Sequence, residues 1–139
     1  MAGYSDRLPT VDRLRKWDVE CNAICSLCKV EDEHRDHIFH GCKYTKEVRV
    51  HISRFFTGIR WQNSFANEIE YMCRVSKRKN VKAHIVIMCW TEMIYNVWCQ
   101  RNFRIFGGIQ RSAEQLANLI IFNVATRLDD AHKCILLIN

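Results

Sequence analysis

Three cysteines and a histidine fall within eighteen residues, in the pattern C-x2-C-x8-H-x4-C formed by Cys25, Cys28, His37 and Cys42. No other feature narrows the fold as sharply. A Cys-x2-Cys pair lets two thiolates meet one ion from a tight turn, and a second pair must return over a loop long enough to close the shell. The segment between Cys28 and His37 supplies that loop. Four protein ligands leave no position for water or substrate, so the site is expected to be structural, holding one Zn2+, and not catalytic. Residues 20–45 contain no other core, so their folding should be coupled to the metal.

Neighbouring residues compete for the same role. Cys21 could replace Cys25, but that choice would strand Cys28. His34 shortens the return loop, and His40 stands only two positions from Cys42, a poor spacing for a chelate at a helical start. His37 is preferred, with Ile38 and Phe39 beside it as apolar backing. The remaining cysteines, Cys73, Cys89, Cys99 and Cys134, lie in helix-like apolar stretches, where a free thiol behaves as a small hydrophobe. A disulfide scaffold would be shorter and richer in loops, so reduced thiols in an intracellular protein are expected. No run of 18 apolar residues is present to span a membrane. The opening M-A-G-Y-S-D-R lacks the apolar core of a signal peptide.

A chain of 139 residues is sufficient for one domain with its own core. Apolar periodicity predicts an all-α fold of four to five helices packed as a bundle, with no alternating pattern long enough for a sheet. A single domain over 1–139 is expected, with an N-terminal helix and zinc loop in 1–45 and the helical bundle in 46–139. Thr10 can cap a first helix carrying Val11, Leu14 and Trp17. A helix from His37 to Phe56 carries Ile38, Val48 and Ile52, closed by Gly58, and another over 64–75 carries Phe65, Ile69 and Met72. The longest is expected from Val81 to Phe106, with Ile85, Met88, Ile94, Val97, Trp98 and Ile105 as its spine. Ile87, Trp90 and Tyr95 widen its apolar band, as in a helix buried in a bundle or shared between subunits. Gly107-Gly108 ends it, and Ser112 with Gln115 reads as a capping box for a last helix from 113 to about 137. Ala113, Leu116, Ala117, Ile120, Ile121, Val124 and Leu128 form its stripe.

The net charge of +6 is uneven. Residues 1–42 carry six Lys/Arg against eight Asp/Glu, whereas residues 43–139 carry fifteen against seven. Lys77, Arg78, Lys79 and Lys82 cluster in a basic link, and Arg101 and Arg104 lie near Trp98, Phe103 and Phe106. Cations beside aromatic rings can hold phosphates while bases stack, so these six residues are the candidate nucleic-acid contacts. The alternative for Arg101 is a pairing inside the bundle with Glu92, Asp129 or Asp130. The Lys77–Lys79 run also suits nuclear import, which favours the nucleus over the cytoplasm.

Several of these pieces together resemble a known family. Leu8-Pro9-Thr10-Val11-Asp12-Arg13-Leu14, Cys25-x2-Cys28, Glu33 through His37-Ile38-Phe39, and Cys42-x-Tyr44 are similar to the zinc-binding region downstream of the polymerase domain in plant LINE-type (non-LTR) retrotransposon reverse transcriptases. Ile94-Tyr95-Asn96-Val97-Trp98 and Arg101-Asn102-Phe103-Arg104-Ile105-Phe106 resemble that family's trailing helix. Arg49 stands where the family often has tryptophan. The resemblance implies zinc ligation by Cys25, Cys28, His37 and Cys42 and the handling of RNA or DNA, in a domesticated or truncated copy without its polymerase segment. An enzyme is not expected, because no nucleophile–base pair, paired catalytic carboxylates or phosphate loop is present. The apolar breadth of helix 81–106 and of the C-terminal helix makes a homodimer the competing expectation.

Overall fold

A computed structural model of the chain describes residues 9–10 and 23–136. The helix expected after Thr10, Cys21, and the last three residues lie outside the described residues. The architecture is all-α: among the described residues there is no strand, only an isolated antiparallel bridge between Ile24 and Asp32. The described residues form six helical segments, four of them long.

The first is a π-helical turn over His37–Gly41, in which Cys42 N–H donates to the His37 carbonyl at 2.6 Å. Helix α1 follows at Lys43–Phe55. The sequence pattern predicts one helix from His37 to Phe56, but the chain breaks at Cys42, whose backbone is extended (φ −65°, ψ 133°). A continuous α-helix would set His37 and Cys42 about 140° apart around its axis. The break is what lets both side chains reach one point. Beyond it, Tyr44, Val48 and Ile52 repeat every four residues on the buried face of α1.

Helix α2 spans Phe65–Ser76, one residue later than expected, because Ser64 serves as the cap and accepts from Asn67 N–H at 3.1 Å. Helix α3 occupies Val81–Phe106, the bounds read from the sequence. Asn80 caps it by accepting from Ala83 N–H at 2.8 Å, and Gly107 ends it with φ 91°, a conformation that glycine adopts without a Cβ clash. Helix α4 covers Ala113–Thr126, opened by a complete capping box between Ser112 and Gln115. The expected continuation to 137 is not there. The chain turns after Thr126 and restarts as the short α5 at Asp130–Lys133, where the Asp129 carboxylate takes the His132 N–H at 3.1 Å. Asp129 thus offers the backbone a cap in place of continued helix, and it prevails.

Helix α4 packs on α1 and α3, and α2 packs on α3. Buried side chains from Cys25 to Leu136 form one connected core. The wide apolar band of α3 is used within the chain: Ile85, Met88, Cys89, Trp90, Met93, Ile94 and Val97 are all buried. Of the expected band, Ile87 and Trp98 are half-buried, and Tyr95 and Ile105 are exposed, at 61% and 43%. Cys73 and Cys134 are likewise exposed, contrary to the apolar role expected for them, whereas Cys89 is buried.

Candidate metal centre

The segment before the π turn is a tight backbone knuckle. Cys25 N–H donates to the Glu31 carbonyl, Lys29 N–H to the Cys25 carbonyl and Glu33 N–H to the Ala23 carbonyl, each at 2.8 Å. Lys29 sits in the left-handed region at φ 60°, the residue where the chain reverses. The knuckle presents Cys25 and Cys28 from one side, and the π turn and the start of α1 present His37 and Cys42 from the other.

The four ligand atoms lie within 4.8 Å of one another. Cys25 Sγ is 3.9 Å from Cys42 Sγ, and Cys28 Sγ is 3.2 Å from His37 Nε2. With Zn–S near 2.3 Å and Zn–N near 2.0–2.1 Å, tetrahedral ligand atoms stand about 3.4–3.8 Å apart. The cluster therefore has the dimensions and the donor set to hold one zinc ion. The competing histidines are engaged elsewhere. His34 Nδ1 accepts from the His37 backbone N–H at 3.2 Å, and His40 Nε2 meets the Gln62 carbonyl at 2.7 Å.

Electrostatics suit a metal. Cys25 and Cys42 share a hydrogen bond that, together with burial, pushes the Cys25 thiol well up. The same bond lowers Cys42 against the opposing effect of burial, helped by the backbone amides of Thr45 and Tyr44 at the start of α1. Two buried sulfurs this close, one of them favoured toward the thiolate, are a natural place for a cation. Burial lowers the His37 pKa and keeps the imidazole neutral, as a ligand must be. Its Nδ1 faces a Glu31 carboxylate oxygen at 3.4 Å, the carboxylate–histidine arrangement that orients a metal-binding ring.

Two buried ion pairs anchor this unit to the helices. Glu33 receives Arg101 Nη2 at 2.7 Å and Nε at 3.2 Å, and the Arg101 guanidinium lies 4.7 Å from the Trp98 ring centroid. Arg49 donates to both Glu68 oxygens at 2.7 and 3.0 Å and also to the Phe39 carbonyl. Trp90 Nε1 completes Glu68 at 2.7 Å. Phe39, at the middle of the π turn, stacks on Phe65 with centroids 5.4 Å apart. Tyr44 donates to the Arg111 carbonyl at 2.8 Å, tying the start of α1 to the α3–α4 turn.

These contacts correct part of the expected nucleic-acid surface. Arg101 is 3% exposed and neutralised by Glu33, so it is set aside as a phosphate contact. Pairing inside the bundle was the alternative, although the partner is Glu33 and not Glu92, Asp129 or Asp130. Glu92 instead pairs with Arg127 at 2.6 Å. Arg104 is turned inward as well: it donates to the Arg111 carbonyl at 2.9 Å and lies 4.8 Å from the Tyr44 ring centroid. Lys77, Arg78, Lys79 and Lys82 are exposed together at the α2–α3 turn. Neither the Glu33–Arg101 pair nor the Arg49–Glu68 pair follows from the sequence pattern. Their partners are remote in the chain, and the only signal was that Glu33 and Arg101 both sit in stretches that carry the resemblance.

What the geometry defines is a closed Cys3His zinc centre, held by a knuckle and a helix start and braced against a helical bundle. Residues 3–48 match the family described as zinc-binding in reverse transcriptase, which relates this segment, the N-terminal third of the chain, to that zinc-binding region. The match identifies the zinc-binding region and not a catalytic reverse transcriptase domain. No curated protein and no solved structure matches the chain. Among the described residues no helix is long and apolar enough to cross a membrane.

Proposed function

We propose that the chain is a zinc-stabilised, non-catalytic nucleic-acid-binding module related to retrotransposon reverse transcriptases of the plant LINE type, acting in the nucleus. The observation that carries this reading is the joining of a closed Cys3His centre to an exposed basic turn, Lys77, Arg78, Lys79 and Lys82. The relation of residues 3–48 to a zinc-binding region of reverse transcriptases supports RNA or DNA as the partner. Cations on a rigid turn neutralise backbone phosphates and release counterions, giving affinity that falls with salt.

The test is direct. Metal content is measured on purified protein, then labelled single-stranded RNA and duplex DNA are titrated at two salt concentrations. One zinc per chain and salt-sensitive binding, reduced when Lys77, Arg78, Lys79 and Lys82 are made neutral, is the expected result. One zinc with no binding at either salt overturns it.

A second reading, a protein-interaction or dimerisation module, is favoured by one observation. Ile105, Phe106 and Ile109 are 43%, 79% and 65% exposed around the Gly107-Gly108 turn. Light scattering at high concentration decides it, since a monodisperse monomer removes the dimer.

A further inference from the structure

A cavity of about 250 Å3 lies between the loop after α1 and the α2–α3 turn. Arg60, Arg78 and Lys82 line it, together with the buried Tyr71, Val75 and Val86. No Asp or Glu is among its lining residues. Elsewhere in this protein Arg49, Arg74, Arg101, Arg127 and Lys133 have carboxylate partners, but none of the three cavity cations has one among the described residues. Gly58 keeps the wall open. A Cβ there would come within 2.4 Å of the Phe56 ring and 3.0 Å of Lys82 Cε.

The cavity also borders the start of α3, whose first turn carries no acidic residue. The amino end of a helix bears partial positive charge and is ordinarily matched by an anion. Here Arg78, Lys79 and Lys82 add three more positive charges beside it. These cations are exposed and screened by water, but their convergence favours an anion over a cation in the cavity. The guanidinium groups of Arg60 and Arg78 suit the oxygens of a phosphate, which they can bind in pairs. The volume is larger than a phosphate needs and close to the lower end of small-ligand pockets, enough for the phosphate with its sugar.

We propose that this cavity binds the phosphate of a single nucleotide unit, drawn from a nucleic-acid strand. The source of that phosphate rests on the nucleic-acid reading above; the phosphate chemistry itself does not. Two measurements keep them apart. Zinc-loaded protein is titrated with AMP while backbone amide resonances are followed by NMR. Shifts centred on Lys82 and Ala83 are expected, and a uniform or absent response overturns the site. In parallel, a labelled single-stranded RNA decamer is titrated by anisotropy against R78A/K82A and against K43A/K46A, which removes the same charge from exposed positions on α1.

The cavity variant should lose about tenfold in affinity and the control about twofold, the difference expected of direct phosphate contacts over general charge. Equal losses overturn the cavity and leave a diffuse basic surface, with the nucleic-acid reading intact. AMP shifts without strand binding at any salt support the phosphate site and overturn its strand source. Gly58→Ala, which alters no charge, should weaken both ligands, and retained affinity in a folded G58A protein counts against the cavity. The double alanine variant decides the matter if G58A does not fold.

Discussion

Arg49 and Glu68 meet in a two-pronged ion pair with almost no access to water, and the Arg49 Nε has no partner in it. Burial lowers the Arg49 pKa, while the facing Glu68 carboxylate opposes that shift. Removing one member leaves the other charge stranded, so Arg49→Met should cost about 3–5 kcal/mol in denaturant unfolding, whereas Arg49→Met with Glu68→Met together should recover most of it. Equal losses in the single and double variants would refute this coupling. A smaller effect is expected at Lys29, whose left-handed backbone strains any residue with a Cβ. Lys29→Gly should stabilise the zinc-loaded protein by up to about 1 kcal/mol, the relief of strain exceeding the entropy of a freer unfolded chain. At this scale the cluster of Cys25, Cys28, His37 and Cys42 was legible, because the spacing of its members suits chelation. The buried charge pairs were not, because Glu33 and Arg101 lie far apart in sequence and nothing local links them.

Helices α2 and α3 meet at a turn that must both stop one helix and start another. Asn80 does the starting, so Asn80→Ala should lower stability by about 1 kcal/mol and reduce amide protection in the first turn of α3. Unchanged protection at Ala83 and His84 would show that the cap is dispensable. The bounds of α3 could be read from the sequence because an uninterrupted apolar pattern runs between a capping asparagine and a glycine pair. The break at Cys42 could not, since it arises from where two ligands must point and not from local propensity. The early stop at Thr126 was hidden for a different reason: Leu128 continues the apolar spacing of α4, but Asp129 captures the backbone first.

The zinc loop and the bundle are one packed unit in the described residues, with Cys25, Leu27 and Cys42 in the same core as Ile120 and Val124. Stripping the metal should therefore do more than loosen a surface loop. Hydrogen exchange after chelation should show loss of protection over residues 23–42 and weaker protection near Arg101, with the α2–α3 core retained. Protection unaltered in 23–42 would mean that the loop folds without metal. Thiol accessibility gives an independent reading of the same architecture. In zinc-loaded protein, among the described thiols outside the zinc site, Cys73 and Cys134 should be alkylated first and Cys89 last, because burial pushes its thiol up to about 12. The helical class of the whole was plain from periodicity. Which helix lies against which was not, because nearly every apolar face in the chain could have paired with another.

The clasp between Glu33 and Arg101, joined by the Tyr44 bond to Arg111, has a consequence for how the chain is made. All four candidate ligands leave the ribosome before Arg101 and Arg111, whose contacts tie the knuckle and the start of α1 to the bundle. During synthesis the four side chains can therefore meet an ion before the bundle that braces them exists. Once Arg101 and Arg111 have emerged and docked, the two halves of the site are fastened to the bundle. Loading should thus be fast in the nascent chain and exchange slow in the finished protein, so that each molecule keeps the metal it met at birth.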